Sequence, residues 1–544
     1  MADEEILIHQ AIEEQRDMTA VEQFAFKKDF QQISKELSRY TELIPKTAPG
    51  PGQQYAFEVN LDACTGCKAC VTGCHNENGL DIDETWRSVG LLHGTTPQGP
   101  AIQHVTSACH HCMDPACLNG CPVKAYEKDE VTGVVKHLDD QCIGCQYCIL
   151  KCPYDVPKYS KKKGIVHKCD MCISRLKADE APACVRACPN EAIRITLVDT
   201  ARVRKSPSEF VNIPQAPDSS YTLPTTRYLS TKNFSPDMGS INAAMFKPEH
   251  SHMPLVVMLS LTQLSVGTFL VGGIANQLVD AGLRSILSPA YAWSVLGIGF
   301  LALNASLFHL GRPLYAFRAI LGIQTSWLSR EILAFGGFAF LSSVFAVQTK
   351  FISLPAVVSN ALAVIVLMTG LFAVFTSVMV YRDTRREWWD SHLTTFKFFM
   401  TAVLLGTSTV LAISLSACAW NAPFFGATMK TLGAPLVRTL AILSVVKMLV
   451  EASLFSHLRQ DQMTSLKKTA TLMVQHLRKW TVQRFVYGTL GGIVMPVLLL
   501  AVSRYLTVPE ILVWVWGMLA ISIAGEMMER YLFFRAVIPL KMPN

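Results

Sequence analysis

The hydrophobic and polar positions divide the chain into two halves of different character. From about residue 254 onward, long apolar runs alternate with short polar segments, whereas the first half mixes the two kinds of residue in short stretches. Runs of roughly 20 apolar residues have the length that a helix needs to cross a bilayer. Eight such runs are predicted to span a membrane, at approximately 254–275, 290–309, 331–348, 355–381, 393–416, 434–456, 485–505 and 509–528.

Four segments follow from this pattern. Residues 1–54 are acidic and predict a helical extension, and residues 55–195 predict a small α+β domain with short strands and helices. Residues 196–253 are punctuated by prolines, which predicts an extended linker that becomes ordered only in a complex. Residues 254–544 form the predicted helical bundle.

Cysteines change the picture of the α+β domain. Sixteen of the 17 lie in four runs, and two runs have the spacing C-x2-C-x2-C-x3-C. This spacing is typical of [4Fe–4S] ligands. The ligand candidates, run by run, are Cys64, Cys67, Cys70 and Cys74; Cys109, Cys112, Cys117 and Cys121; Cys142, Cys145, Cys148 and Cys152; and Cys169, Cys172, Cys184 and Cys188. Sixteen ligands, at four for each cluster, predict four [4Fe–4S] clusters. The predicted fold class of the whole protein is an α+β poly-ferredoxin domain followed by an all-α eight-helix transmembrane bundle.

The last cysteine of such a run ligates the other cluster of a pair. The spacing allows runs two and three, and runs one and four, to exchange their last cysteines, but it does not decide the pairing. The main alternative is a structural zinc scaffold on a membrane anchor, yet zinc sites usually take two cysteines from each of two knuckles. The haem c signature C-x-x-C-H is absent, and the spans hold few histidines, so no haem is expected.

The distribution of charged residues predicts how the protein is oriented in the membrane. The net charge of +7 needs no nucleic acid, because the loops of a membrane protein can supply it. Fifteen lysines and arginines lie in loops on the side of the N-terminus and five on the other side. The positive-inside rule then places the cysteine domain on the cytoplasmic side of a bacterial inner membrane. The N-terminus also lacks a basic-then-apolar export signal and a twin-arginine pair, which agrees with this expectation.

Two stretches around the second predicted loop, SLFHLGRPLYAF and SWLSREILAF, carry candidate chemistry. His309 and Glu331 are predicted to bind a quinone and exchange its protons, because a quinone needs hydrogen-bond partners and a proton source. Arg312, Trp327 and Arg330 are candidates for the same pocket. The alternative is interfacial anchoring by arginine and tryptophan, and the residues alone do not separate the two.

Charges also occur within the spans. Lys447 and Glu451 are one helical turn apart, which favours an i,i+4 ion pair. Glu526, Glu529 and Arg530 end the last span, where a helix-to-helix bond and a proton path both stay open.

The residues from about 55 to the end resemble a known family. The cysteine runs are similar to the electron-transfer subunit of membrane-bound molybdopterin oxidoreductases. The stretches SLFHLGRPLYAFRAILGIQTSWLSREI and GEMMERYLFF resemble the haem-free, eight-span anchor subunit of dimethyl sulfoxide reductase. The resemblance implies that both subunits are fused here and that a separate molybdopterin subunit carries the substrate chemistry.

The resemblance also implies ligand sets and a quinone site. Each set takes three cysteines of one run and the last cysteine of its partner run. The implied sets are Cys64, Cys67, Cys70 with Cys188; Cys169, Cys172, Cys184 with Cys74; Cys109, Cys112, Cys117 with Cys152; and Cys142, Cys145, Cys148 with Cys121. His309 and Glu331 match the histidine and glutamate of the family's quinol site.

The predicted cytoplasmic side departs from dimethyl sulfoxide reductase of enteric bacteria, which faces the periplasm. It looks more like the quinone-linked cytoplasmic sulfite dehydrogenase of sulfur-oxidising bacteria. The sequence therefore predicts an electron-transfer and anchor subunit coupling sulfite oxidation to quinone reduction. The alternatives are an S-oxide reductase subunit that oxidises quinol, and a formate dehydrogenase or polysulfide reductase module.

Overall fold

The computed structural model describes residues 40–96, 99–235, 238–242, 246–352 and 354–543. Most of the predicted N-terminal helical extension therefore lies outside the described residues. The first half is a small α+β domain and the second half is a bundle of long apolar helices, as the predicted fold class requires.

Short strands and helices build the α+β domain. Its strands are β1 (Gln53–Asn60), β2 (Ser88–Thr96), β3 (Gly99–Ser107), β4 (Tyr126–Lys128), β5 (Val135–His137), β6 (Lys158–Ser160), β7 (Ile165–His167), β8 (Ile193–Asp199), β9 (Arg227–Leu229) and β10 (Gly239–Ser240). Its helices are α1 (Ala69–Asn78), α2 (Ala116–Asn119), α3 (Tyr147–Lys151), α4 (Ile173–Lys177), α5 (Ala183–Arg186) and α6 (Thr200–Lys205). One sheet has the order β8-β1-β9 and another β10-β2-β3, while β4-β5 and β6-β7 are two-stranded hairpins.

Each cysteine run leads into a short helix, and the residue just before that helix is left-handed in three of the runs, at Lys68, Gln146 and Cys172. Lys68 and Gln146 occupy equivalent positions between the second and third cysteines and both have left-handed φ values, 62° and 60°. The backbone therefore turns around the first three cysteines, and the helix that follows places the fourth cysteine at a distance from them.

The predicted boundary between domain and linker falls inside a strand. β8 runs from 193 to 199 and pairs antiparallel with β1, and β9, at 227–229, pairs parallel with β1. Between them, the Met113 and Asp114 N–H groups donate to the carbonyls of Leu223 and Thr222 at 2.8 and 3.0 Å. Much of the Pro-rich segment is thus an ordered part of the α+β domain. Prolines predicted its extended backbone but not its pairing partners.

Eight helical segments in the described residues are long and apolar enough to cross a membrane, which agrees with the eight predicted spans. They are α7 (Met253–Leu278), α8 (Ala281–Leu307), α9 (Trp327–Phe351), α10 (Ala356–Arg382), α11 (His392–Ala417), a sixth segment (Ala422–Arg459) containing α12 (Ala422–Thr428) and α13 (Ala434–Ala452), a seventh (Arg478–Tyr505) containing α15 (Arg478–Thr489) and α16 (Met495–Val502), and α17 (Val508–Arg535). The helix α14 (Ser465–Val474) connects the sixth and seventh segments.

The second span begins nine residues earlier than predicted. The Asp280 side chain accepts a hydrogen bond from the Leu283 N–H at 2.8 Å and caps α8, so the helix starts before Pro289. Proline is common in the first turn of a helix, but here Pro289 lies inside α8.

The helices α7 and α11 form the centre of the bundle. They meet at Gly267 and Gly406, where an added Cβ would overlap the facing backbone of Ala402 or Gly267. Small residues allow this close helix–helix approach inside a membrane.

Candidate functional site

The structure groups the sixteen cysteines into four sets. The sets are set 1, Cys64, Cys67, Cys70 and Cys188; set 2, Cys74, Cys169, Cys172 and Cys184; set 3, Cys109, Cys112, Cys117 and Cys152; and set 4, Cys121, Cys142, Cys145 and Cys148. Sets 1 and 3 each surround a small cavity, and the thiols within sets 2 and 4 act electrostatically on one another. These are the sets that the family resemblance implies.

The buried cysteine sets disfavour uncompensated thiolates. Burial raises the pKa of Cys74 to about 12 and the pKa values of Cys121 and Cys152 to about 11, and neighbouring thiols add to this effect. Only the thiolate form ligates metal. The positive charge of a bound metal cluster would offset the cost of burying four thiolates together. Within the described residues, no group of three cysteine, histidine or carboxylate side chains is arranged to hold a single metal ion.

Buried cations lie between neighbouring sets. Arg87 is within electrostatic range of Cys70 in set 1 and Cys184 in set 2. Burial favours the neutral guanidinium, but the surrounding thiolates outweigh it and raise the pKa of Arg87. Lys168 lies 3.7 Å from the Cys109 sulfur of set 3, and its pKa is raised in the same way. Sequence reasoning missed both cations, since a lone basic residue has no motif.

A cavity of about 450 Å³ lies where the α+β domain meets the bundle. Most of its lining is apolar. The side chains with polar atoms that line it, together with one cysteine of set 4, are Cys145, Gln146, Tyr147, His252, Asn304, Ser306, His309, Glu331 and Tyr381. An apolar cavity of this size with a few converging polar groups is typical of a small-molecule site.

The two predicted quinone-site residues both line this cavity. His309 Nε2 lies 3.2 Å from the Cys145 carbonyl oxygen, and since a carbonyl only accepts, Nε2 carries the hydrogen. Burial lowers the pKa of His309, so the ring is neutral and Nδ1 is an acceptor. Glu331, at the start of α9, is 4% exposed and accepts a hydrogen bond from the Ser377 hydroxyl of α10.

The other three predicted pocket residues do not line the cavity as the structure describes it. Arg312 donates to the Asp139 carbonyl oxygen at 2.7 Å, and the Arg330 guanidinium stacks 4.4 Å from the Trp327 ring centroid. Arg312 thus docks the α+β domain and Arg330 braces the loop before α9, and contact of these residues with a quinone stays a prediction. Nearness to His309 and Glu331 in the sequence does not determine where their side chains point.

The α+β domain packs directly on the bundle beside set 4. Tyr147 OH donates to the Val380 carbonyl at 2.9 Å, and Lys151 Nζ pairs with Asp383 Oδ2 at 2.7 Å. The backbone at Gly311 lies against Gly164. Set 4 is thereby held at the edge of the cavity.

Replacing Gly311 by alanine is expected to loosen this junction. The new Cβ would overlap the Gly164 carbonyl and the Tyr159 hydroxyl, and overpacking of this kind costs about 1–3 kcal/mol. Hydrogen exchange in residues 143–150 should rise. Gly297→Ala is the control, because a Cβ there meets nothing within 4 Å; equal exchange in both variants would contradict the close contact.

A buried charge network lies apart from the cavity. Lys447 pairs with Glu526 of α17 and, at 3.7 Å, with Glu451. Arg484 contacts Glu451 and Glu526 at 2.7 and 3.0 Å. The predicted i,i+4 pair is present, but Lys447 also binds the distant Glu526, so these charges join three helical segments.

Lys447→Met is expected to destabilise the bundle strongly. It leaves Glu451 and Glu526 sharing Arg484, and removal of one partner from a buried ion pair costs about 3–5 kcal/mol. The unfolding midpoint in mild detergent should fall well below that of the control Lys430→Met, which changes an exposed lysine of the same segment. Equal midpoints would show that the network contributes little to stability.

The fold and site define a membrane-anchored iron–sulfur electron-transfer protein. Residues 248–535 match the family model of the DMSO reductase anchor subunit (DmsC), and residues 101–197 match the 4Fe-4S dicluster domain. This protein belongs to the DMSO reductase anchor subunit family, with an iron–sulfur domain fused ahead of the anchor.

Curated relatives match the iron–sulfur half. The B subunit of anaerobic dimethyl sulfoxide reductase from Haemophilus influenzae is 35% identical over 161 residues, which are 28% of this protein and 78% of the relative. The corresponding B subunit from Escherichia coli is 33% identical over 179 residues, 31% of this protein and 86% of the relative. The probable anaerobic dimethyl sulfoxide reductase subunit YnfG of Escherichia coli is 31% identical over 204 residues, 36% of this protein and 98% of the relative.

These matches confirm the predicted electron-transfer and anchor subunit of a dimethyl sulfoxide reductase-type oxidoreductase, and they support iron–sulfur clusters as its cofactors. They lend no support to the comparison with sulfite dehydrogenase.

Proposed function

We propose that this protein carries electrons between a separate molybdopterin catalytic subunit and the quinone pool, using four [4Fe–4S] clusters and a quinone site in the junction cavity. The observation that carries the proposal is the lining of that cavity, in which a cluster-ligand candidate, Cys145, lies beside His309 and Glu331. A quinone bound there would sit next to set 4.

The four cysteine sets follow one another through the domain. Arg87 lies between sets 1 and 2, Lys168 lies between sets 2 and 3, and the buried Tyr126 lies near Cys117 of set 3 and Cys148 of set 4. When bound, [4Fe–4S] clusters supply one-electron transfer, at potentials from about −700 to +450 mV in proteins, so cluster type alone does not fix a direction.

Set 1 marks the end far from the cavity. Its Cys67 is exposed, whereas most ligand candidates of the other sets are buried or half-buried. A catalytic subunit that docks over Cys67 would shorten the electron path and shield this set from water. This supports docking of the molybdopterin partner at the set 1 end.

His309 and Glu331 have different parts in the quinone site. Because His309 donates its Nε2 hydrogen to the Cys145 carbonyl, its ring orientation is fixed and Nδ1 is left to accept a quinol hydroxyl. Glu331 holds or releases a proton at its carboxyl group, with Ser377 orienting it. The apolar lining keeps bulk water away from the reacting ring.

The relatives favour S-oxide chemistry for the partner, since the Escherichia coli B subunit is named as part of an anaerobic dimethyl sulfoxide reductase. We therefore propose quinol oxidation coupled to reduction of dimethyl sulfoxide or a related S-oxide. The predicted sulfite oxidation is the second candidate, and the loop charge that favours a cytoplasmic iron–sulfur domain is its support.

One purification tests both candidates. The tagged protein is isolated from membranes in mild detergent, its partner is identified, and quinol-driven S-oxide reduction is compared with sulfite-driven quinone reduction. A molybdopterin partner active with S-oxide supports the first proposal, and activity with sulfite supports the second. A quinone-inactive complex would contradict both.

The side of the membrane is tested separately in intact cells. A tag at the N-terminus should resist external protease if the iron–sulfur domain faces the cytoplasm. Cleavage of the tag would overturn the orientation inferred from loop charge and would leave the quinone site itself unaffected.

A further inference from the structure

Three histidine rings form a row from the protein surface to the junction cavity. His250 is exposed, and its ring centroid lies 4.9 Å from that of half-buried His252. The His252 ring lies 5.0 Å from the His309 ring, and both contacts are edge-on, at 69° and 75°. His252 lines the cavity directly.

The backbone at His252 is unusual for a residue with a side chain. His252 immediately precedes α7 and has left-handed dihedral angles, φ 44° and ψ 52°. Its N–H donates to His250 Nδ1 at 3.3 Å, which ties the two residues together. Strained backbone conformations of this kind persist where surrounding structure holds them, and they cluster at functional sites.

The cavity needs a proton route that the proposed quinone site does not itself provide. Reduction of a quinone consumes two electrons and two protons, and oxidation of a quinol releases them. Glu331 is buried, and its described hydrogen bond is to Ser377. The His309 Nε2 hydrogen is held by the Cys145 carbonyl. Protons must therefore pass between water and the cavity through other groups.

We propose that His250 and His252 form a proton relay between water and the quinone cavity. The inference rests on the proposed quinone site. An imidazole can accept a proton at one ring nitrogen and release one from the other. His250 exchanges protons with water, His252 passes them to the cavity, and the electrons of the same step come from or return to the set 4 side. His309 keeps its protonation state.

The surroundings of His252 suit transfer rather than storage of a proton. Burial lowers the pKa of His252 to about 3, and His309, His250 and the Arg386 cation add to this effect. The centroid of the Phe534 ring lies 5.9 Å from that of the His252 ring, and Glu249 lies three residues before His252 in the sequence. Because the neutral form is favoured, a proton that reaches His252 does not remain there.

The test uses His252→Asn and His250→Asn in the purified complex. Asparagine tolerates left-handed backbone but carries no proton at neutral pH. The complex is reduced with dithionite and mixed with a short-chain quinone analogue, and cluster reoxidation is followed by stopped-flow absorbance. His252→Asn should slow reoxidation about tenfold or more, as loss of a proton-transfer group does, and increase the solvent deuterium isotope effect. Added imidazole should restore the rate.

The control is His392→Asn, an exposed histidine at the start of α11 on the same side of the bundle. Quinone affinity should be unchanged in His250→Asn and His392→Asn, whose side chains do not line the cavity. Wild-type rate and isotope effect in His252→Asn would overturn the relay. If His252→Asn does not assemble, a normal rate in the exposed His250→Asn variant overturns it instead. Failure of the wild-type complex to reoxidise with quinone would contradict the proposed function rather than the relay alone.

Discussion

Cys145→Ser is expected to remove the cluster nearest the cavity and to stop electron exchange with quinone. Cys145 belongs to set 4 and also lines the cavity, so its loss interrupts the path at the step that faces the quinone. Iron should fall by about four atoms per protein molecule, since one [4Fe–4S] cluster is lost. Iron analysis and electron paramagnetic resonance of the reduced complex check this result.

Cys418→Ser is the matched control. Cys418 is buried in the bundle next to Thr428, far in the sequence from the four sets. It should keep full iron content and quinone activity. Unchanged cluster signals in Cys145→Ser would contradict its role as a ligand, and retained quinone reduction with one cluster missing would place the electron exit elsewhere.

His309→Ala and Glu331→Gln are expected to lower quinone-coupled turnover, the first by removing the acceptor that orients the quinol and the second by removing a proton-transferring group, a loss typically worth about 10²–10⁴-fold. Both variants should keep their clusters, because neither residue belongs to a cysteine set. The measurement is steady-state turnover with a quinol analogue, accompanied by iron analysis.

The controls for these two variants are His392→Ala and Glu387→Gln, which change exposed residues near the same end of the bundle. Normal quinone turnover in both His309→Ala and Glu331→Gln would rule out the cavity as the quinone site. Loss of iron would instead reveal a structural role.

Local patterns predicted much of this molecule. Cysteine spacing identified the ligand candidates because three thiolates around one cluster must follow one another closely in the sequence. The length of the apolar runs identified eight spans, because the thickness of the bilayer sets how many apolar residues a spanning helix needs. Neither pattern reports contacts between distant segments, and so the pairing of runs came from the family resemblance.

The cavity shows where sequence reasoning stopped. His309 and Glu331 were found by their motif, but the walls of the cavity come from six separate parts of the sequence, including those of Cys145 and Tyr381. His252 has no motif, and its place depends on how α7 meets the α+β domain. The pairing of Lys447 with Glu526 was also not predicted, because Glu526 lies 79 residues away on another helix.

The central claim is that a quinone binds in the junction cavity beside set 4. The most direct test is photolabelling of the intact complex with an azido-quinone, followed by mass spectrometry of the labelled peptides. We predict adducts in peptides containing His309, Glu331 and residues 143–150, with labelling suppressed by excess unmodified quinone. Adducts confined to other parts of the bundle, with these peptides unlabelled, would contradict the account.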